Sequence, residues 1–148
     1  MLIETLIRLF NRDLNKLKEE INLYKDEFNL WKINGSISNS AGNLCLHLVG
    51  NLNHFIGAIL GDTGYVRQRD LEFSLKNVSR AEMIKQVDDT MLVVESVLHQ
   101  LTEADLYKEY KIHVFKNPMT TEYFLVHLTT HLAYHLGQIN YHRRLLDK

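Results

Sequence analysis

The sequence lacks the usual staples of a small protein. Its 148 residues include one cysteine and one proline. Cys45 has no partner within the chain, so an internal disulfide is excluded and nothing points to an oxidising compartment. A cytoplasmic location is the expectation. An excess of one charge is also missing: 17 Lys and Arg stand against 18 Asp and Glu, which argues against nucleic-acid binding and against a polybasic membrane-surface protein. Long hydrophobic runs are absent as well. The most apolar stretch, Leu44 to Leu60, is interrupted by His47, Asn51, Asn53 and His54 and falls short of the roughly 18 uninterrupted apolar residues of a membrane span. Glu4, Arg8, Arg12 and Asp13 break up the N-terminal segment, and no small-residue cleavage site follows, so it reads as a helix and not as a signal.

Histidine, by contrast, is abundant, with eight in the chain. A chain of this length with 45% apolar side chains can bury one core as a single domain, residues 1–148, and needs no metal to hold it together. A bound metal would therefore serve another purpose.

Four amphipathic segments account for most of the chain. Ile3, Leu6, Phe10, Leu14, Leu17, Ile21, Tyr24 and Phe28 recur at steps of three and four, which predicts a first helix with one buried stripe. A polar break from Gly35 to Gly42 follows, with Asn39 or Ser40 as the cap of a second helix running to about Leu60. The stretch from Tyr65 to Asn77 has no clean period and reads as a long loop. Ser79 and Glu82 form a capping-box pattern that opens a third helix, and Thr102 with Asp105 repeats the pattern in a short turn. Tyr110, Ile112 and Val114 alternate with Lys111 and His113 as in a short extended segment. A fourth helix begins after Asn117-Pro118, capped by Asn117 or Thr120, and runs to the end. The expected fold is all-α, an up-and-down four-helix bundle, with cofactor sites facing inward.

At about 100° per residue, His127, His131, His135, Gln138 and His142 share an arc of roughly 80° on the last helix, bordering its apolar face. His47, Asn51 and His54 do the same on the second. Unpartnered buried imidazoles cost about 1–3 kcal/mol each, and a metal ion removes that cost. Two histidines four apart on a helix can share one ion; histidines eight apart, separated by about 12 Å of rise, cannot. Two chelating pairs remain, His127 with His131 or His131 with His135. The third ligand is His47 or His54, which lie too far apart along the helix to bind together. Other metal chemistries lack their motifs: there is no HExxH, no Cys-x-x-Cys-His, and no Glu-x-x-His pair of the di-iron kind. His99 and His113 read as surface residues.

Three segments carry a family resemblance: NSAGNLCLHLVGNLNHFIG (residues 39–57), RQRDLEF (67–73) and HLAYHLGQINYHRRLL (131–146). Together they resemble the DinB-like superfamily of four-helix proteins, and within it a bacterial branch with a GNL-x-x-HL-x-GNL signature. The resemblance implies a divalent metal bound by His47, His131 and His135, with Gln138 beside the site in a supporting role. It also implies a homodimer. Characterised members include transferases that use a low-molecular-weight thiol such as bacillithiol or mycothiol, so a thiol S-transferase acting on a small-molecule electrophile is the expectation. Zinc and nickel both suit imidazole ligands. Arg67, Arg69, His54 and Asn51 are candidate substrate-binding residues, the arginines because guanidinium pairs with carboxylates. No general base is identifiable. The competing expectations are a metal-dependent hydrolase and a non-catalytic dimeric bundle with structural or adventitious metal.

Overall fold

The computed structural model describes all 148 residues. The protein is all-helical. Its elements are α1 (Leu2–Leu23), a 3-10 turn (Glu27–Trp31), α2 (Ala41–Leu52), α3 (Ile59–Gly61), α4 (Arg69–Ser74), α5 (Arg80–Gln100), α6 (Glu103–Tyr107) and α7 (Thr121–Leu146). Between α2 and α3 the chain widens into a π-helical stretch, Asn53–Ala58, without leaving the helix axis. α1 packs against α5 and α7, and α2 packs against the same two helices from the other side. One core runs through the centre, built from residues such as Phe10, Leu14, Leu17, Leu48, Leu52, Met83, Val94, Phe124 and Leu128.

Local sequence explains most helix starts. Ser40 Oγ accepts the Asn43 N–H at 3.1 Å, Ser79 Oγ that of Glu82 at 3.2 Å, and Thr120 Oγ1 that of Tyr123 at 3.1 Å, each satisfying an orphan donor of a first turn. Of the two expected capping boxes only Thr102 and Asp105 complete the reciprocal pair; the Glu82 carboxylate accepts from Gln86 instead.

The structure departs from the sequence expectation in four places. First, α1 ends at Leu23 and Phe28 lies exposed, because tertiary partners take over its C-terminus. Arg80 donates to the Tyr24 carbonyl at 2.6 Å, and Asp147 accepts the Lys25 N–H at 2.7 Å. Second, the expected loop after α3 contains α4, a six-residue helix docked on α2; so short a helix shows no period, and its stability comes from docking. Third, the extended segment before α7 forms only an isolated antiparallel bridge, Glu109 with Thr120, since two short strands without a third do not build a sheet. Fourth, α2 and α5 run parallel, not antiparallel as consecutive helices of an up-and-down arrangement would. Asn53 donates to Thr90 at 2.9 Å, and Gly57 and Gly61 approach Val93 and Val97 in the same order. The long connection through α4 returns the chain to the starting end of α2.

Ala41–Gly61 has the length and mean hydropathy, 1.4, of a membrane span, but 56% of its most apolar 18-residue window is buried inside the fold. It is the central core helix, with every residue of α2 except Val49 buried.

Polar contacts tie α7 to α1. The buried Glu20 carboxylate accepts Arg143 Nε at 2.7 Å and Asn140 Nδ2 at 2.7 Å. Burial alone would raise its pKa, but these hydrogen bonds hold it below the usual carboxylate range. Glu20→Ala leaves both donors without their charged acceptor, and we expect it to destabilise the fold by about 2–3 kcal/mol. Urea unfolding of variant against parent measures this; unchanged midpoints would contradict the buried pairing.

Candidate metal centre

Three histidines converge between α2 and α7. His47 projects from the middle of α2, while His131 and His135 lie one turn apart on α7, which runs antiparallel to it. His131 Nε2 is 3.2 Å from His47 Nε2 and 3.1 Å from His135 Nε2. The three ligand atoms all lie within 4.8 Å of one another. Four-residue spacing places the α7 pair on one face, and only the packing of α2 against α7 brings His47 to them.

The outer nitrogens of two of these rings determine what the inner ones offer. His47 Nδ1 lies 3.0 Å from Glu72 Oε1. An ionised carboxylate can only accept, so Nδ1 carries a proton, and in the neutral ring Nε2 then presents a lone pair. His135 Nδ1 lies 2.7 Å from Gln138 Oε1, and the same logic leaves its Nε2 as a lone pair. Both point at His131 Nε2. A proton there satisfies one of them at most, and His131 Nδ1 is buried without a partner. A cation at the meeting point satisfies all three. Tetrahedral zinc with bonds of about 2.0–2.1 Å sets its nitrogen ligands about 3.3 Å apart, close to the two separations observed. The residues present therefore fit a divalent ion, and the cluster could hold one.

Electrostatics favour neutral ligands. Burial, and then the positive charge that His135, His47, His127 and Arg67 would bring, pushes the His131 pKa down to about 4. Burial likewise lowers His135, against an opposing hydrogen bond to Gln138. Glu72 stays ionised: burial would raise its pKa, but hydrogen bonds from His47 and Arg67 outweigh it and hold it low.

The remaining histidines stand apart from the cluster. His54, in the π-helical stretch, lies edge-on to Phe55 with ring centroids 4.7 Å apart. His127 stacks 6.3 Å from His131 and meets Phe115 edge-on. His142 is buried between the Tyr24 hydroxyl at 2.7 Å and the Lys32 carbonyl at 2.8 Å, a structural tie at the far end of α7. His99 and His113 sit on the surface near Glu95 and Glu109.

Of the other residues singled out in the sequence, Asn51 is buried, and its Oδ1 has no hydrogen-bond partner. Arg69 lies over the Phe73 ring. Arg67 bonds Glu72 through Nε and Nη2, each at 2.9 Å. Glu72 itself has no signature in the sequence, because it sits in a six-residue helix within a stretch that reads as loop. The surrounding RQRDLEF segment was its only sign.

A cleft of about 370 Å³, lined by His135, Gln138, Tyr141, Leu44 and residues 36–39, opens on the Gln138 side of the cluster.

No curated protein matches the chain. Residues 3–148 match the model of a family described as proteins of unknown function, DUF1572, and the chain belongs to that family.

Proposed function

We propose that the protein is a metal-dependent enzyme of the DinB-like kind, a four-helix bundle that binds one divalent ion, zinc or nickel, through His47, His131 and His135. The observation that carries this reading is the convergence of three imidazole Nε2 atoms on one point, two of them with lone pairs assigned by their outer partners. Three neutral ligands leave the full charge of the ion on the site and at least one position open. When bound, such an ion supplies a Lewis acid that holds a thiol as its thiolate. The chemistry we assign is transfer of a low-molecular-weight thiol to a small electrophile, in keeping with the resemblance of the histidine motifs.

The chain's own residues have defined parts in this reading. Gln138 orients His135. Asn51, with its unpartnered buried carbonyl oxygen, and His54 are assigned to substrate contact. Arg67 is already engaged by Glu72, which leaves Arg69 the freer cation for a substrate carboxylate. The half-buried rings of Phe55 and Phe73 lie beside Arg67 and His47 and limit water at the centre. A homodimer in the cytoplasm completes the proposal; Tyr123, Val126, Tyr134, Tyr141 and Leu145 form an exposed apolar strip on α7 that supports it.

Metal analysis of untagged protein tests the site. We expect about one equivalent in the parent and little in His131→Ala; equal content in both would overturn the assignment. Turnover is tested with a chloro-aromatic electrophile and a panel of cellular thiols, and we expect thioether formation, with release of chloride and a proton, that depends on added metal. Ester hydrolysis without thiol transfer would instead make the protein a hydrolase.

The low His131 pKa also sets a pH dependence. A histidine at about 6.5 in the unfolded chain and about 4 in the fold binds its proton first when unfolded. Stability of the metal-free protein is therefore complete above pH 6.5 and declines as pH falls from 6.5 toward 4. His131→Gln should flatten this decline in urea unfolding at pH 7, 5.5 and 4.5; parallel curves for the two proteins would contradict the buried neutral imidazole.

A further inference from the structure

The GNL-x-x-HL-x-GNL signature places Asn43, His47 and Gly50 on α2 at intervals of four and three, along one face of the helix. That face is where α4 docks. Each of the three residues meets α4 by a different physical contact, and all three contacts bear on one side chain, Glu72.

Asn43 holds the α4 backbone. Its Nδ2 donates to the carbonyl of Glu72 at 3.0 Å and to that of Leu75 at 2.8 Å, while Ser40 Oγ donates to its Oδ1 at 2.8 Å. Asn43 is 1% exposed, so this is a buried clamp with its amide group used on both sides. His47 takes the carboxylate itself, through Nδ1 and Oε1. Gly50 makes the space. A Cβ at position 50 would stand 1.9 Å from Glu72 Oε2 and 2.5 Å from its Cδ, far inside contact distance, so the carboxylate would have to leave its place beside His47 and Arg67. Phe73, the next residue of α4, lies against the His47 ring with centroids 4.9 Å apart.

Arg67 closes the arrangement. Its Nε donates to Oε2 and its Nη2 to Oε1, both at 2.9 Å. A bidentate fork fixes the plane of a carboxylate as well as its position. It also offsets the buried negative charge, which would otherwise be costly to hold. Glu72 Oε1 thus accepts from both Arg67 and His47, and the shared carboxylate directs the His47 Nδ1–H without stripping it.

We propose that Glu72 is a positioning residue of the metal centre: seated against Gly50 and forked by Arg67, it holds His47 in the Nδ1–H tautomer with Nε2 aimed at His131 and His135. The GNL-x-x-HL-x-GNL face is then the seat for α4, and α4 brings in the carboxylate that orients a ligand. This inference rests on the three-histidine site assigned above. It extends the reading to a residue outside the ligand set and to the reason that a glycine stands one turn from a ligand. Such outer partners fix ring orientation and ligand basicity, and their loss typically weakens metal binding about 10–100-fold.

Two measurements test it. The first is zinc affinity by competition with a chromophoric chelator, for the full chain and for Glu72→Ala, Glu72→Gln and Gly50→Ala, with folding checked by circular dichroism. We expect Glu72→Ala and Gly50→Ala to bind zinc about 10–100-fold more weakly than the parent. Glu72→Gln, which keeps an oxygen acceptor for Nδ1–H, should recover most of the loss. The second needs no metal: long-range nitrogen–proton NMR of labelled protein reads the His47 tautomer directly. Nδ1–H is expected in the parent and in Glu72→Gln, with mixed tautomers in Glu72→Ala.

One equivalent of zinc bound by the parent, with unchanged affinity in Glu72→Ala and Gly50→Ala, overturns the positioning role alone. Equal losses in Glu72→Gln and Glu72→Ala, or His47 protonated at Nε2 in the parent, overturn it as well. A parent that binds no zinc overturns the site assignment, and this inference with it.

Discussion

The structure depends on the burial of α2. Every residue of that helix except Val49 is buried, yet it carries Asn43, His47 and Asn51. Buried polar groups must find partners or cost the fold about 1–3 kcal/mol each. This constraint dictates what surrounds the helix. Asn43 is satisfied by the backbone of α4 and His47 by the Glu72 carboxylate. Glu72, in turn, needs Arg67. A single apolar helix at the centre thereby recruits a short helix that has no stability of its own, together with the segment that leads into it.

The same constraint gives the histidine cluster its chemical character. Around His131 the burial is partial and the neighbours are other imidazoles and a guanidinium, so every influence disfavours the protonated form. Burial holds His131 and His135 toward the neutral form, and the outer hydrogen bonds to Glu72 and Gln138 aim the Nε2 atoms of His47 and His135 inward. Neutral nitrogens facing one another without protons between them are poor partners in isolation. They become good ones around a cation, because each then donates a lone pair to a charge that no carboxylate has neutralised. At the other end of α7, His142 shows the contrast: with a hydroxyl on one nitrogen and a carbonyl on the other, it is a satisfied structural residue with nothing left to offer a metal.

Much of this was legible in the sequence. The long helices follow from apolar periodicity, and Ser40, Ser79, Thr102 and Thr120 mark the helix starts, because capping is chemistry within four residues. A chelating pair that includes His131 is legible for the same reason. The end of α1 was not: the stripe continues through Phe28, but the helix stops at Leu23 where Arg80 and Asp147 take the backbone groups. Nor was α4, since six residues make less than two turns and leave no pattern to read. The alternation from Tyr110 to Val114 was legible but misleading, since alternation marks a strand only where other strands are present to pair with it.

The sequence by itself determined the helical class, the caps, and a histidine pair with chelating spacing, since each follows from the 3.6-residue period and from contacts between near neighbours. His47 and His54 are equivalent to that level of reasoning, and so are the pairs on either side of His131; only the resemblance of the motifs favoured one set. Tertiary structure made the choice: the crossing of α2 with α7 sets His47 against His131 and leaves His54 against Phe55, and the docking of α4 supplies the carboxylate behind His47. Those outcomes turn on how two helix faces meet across 84 residues of chain, a relation that local periodicity does not encode.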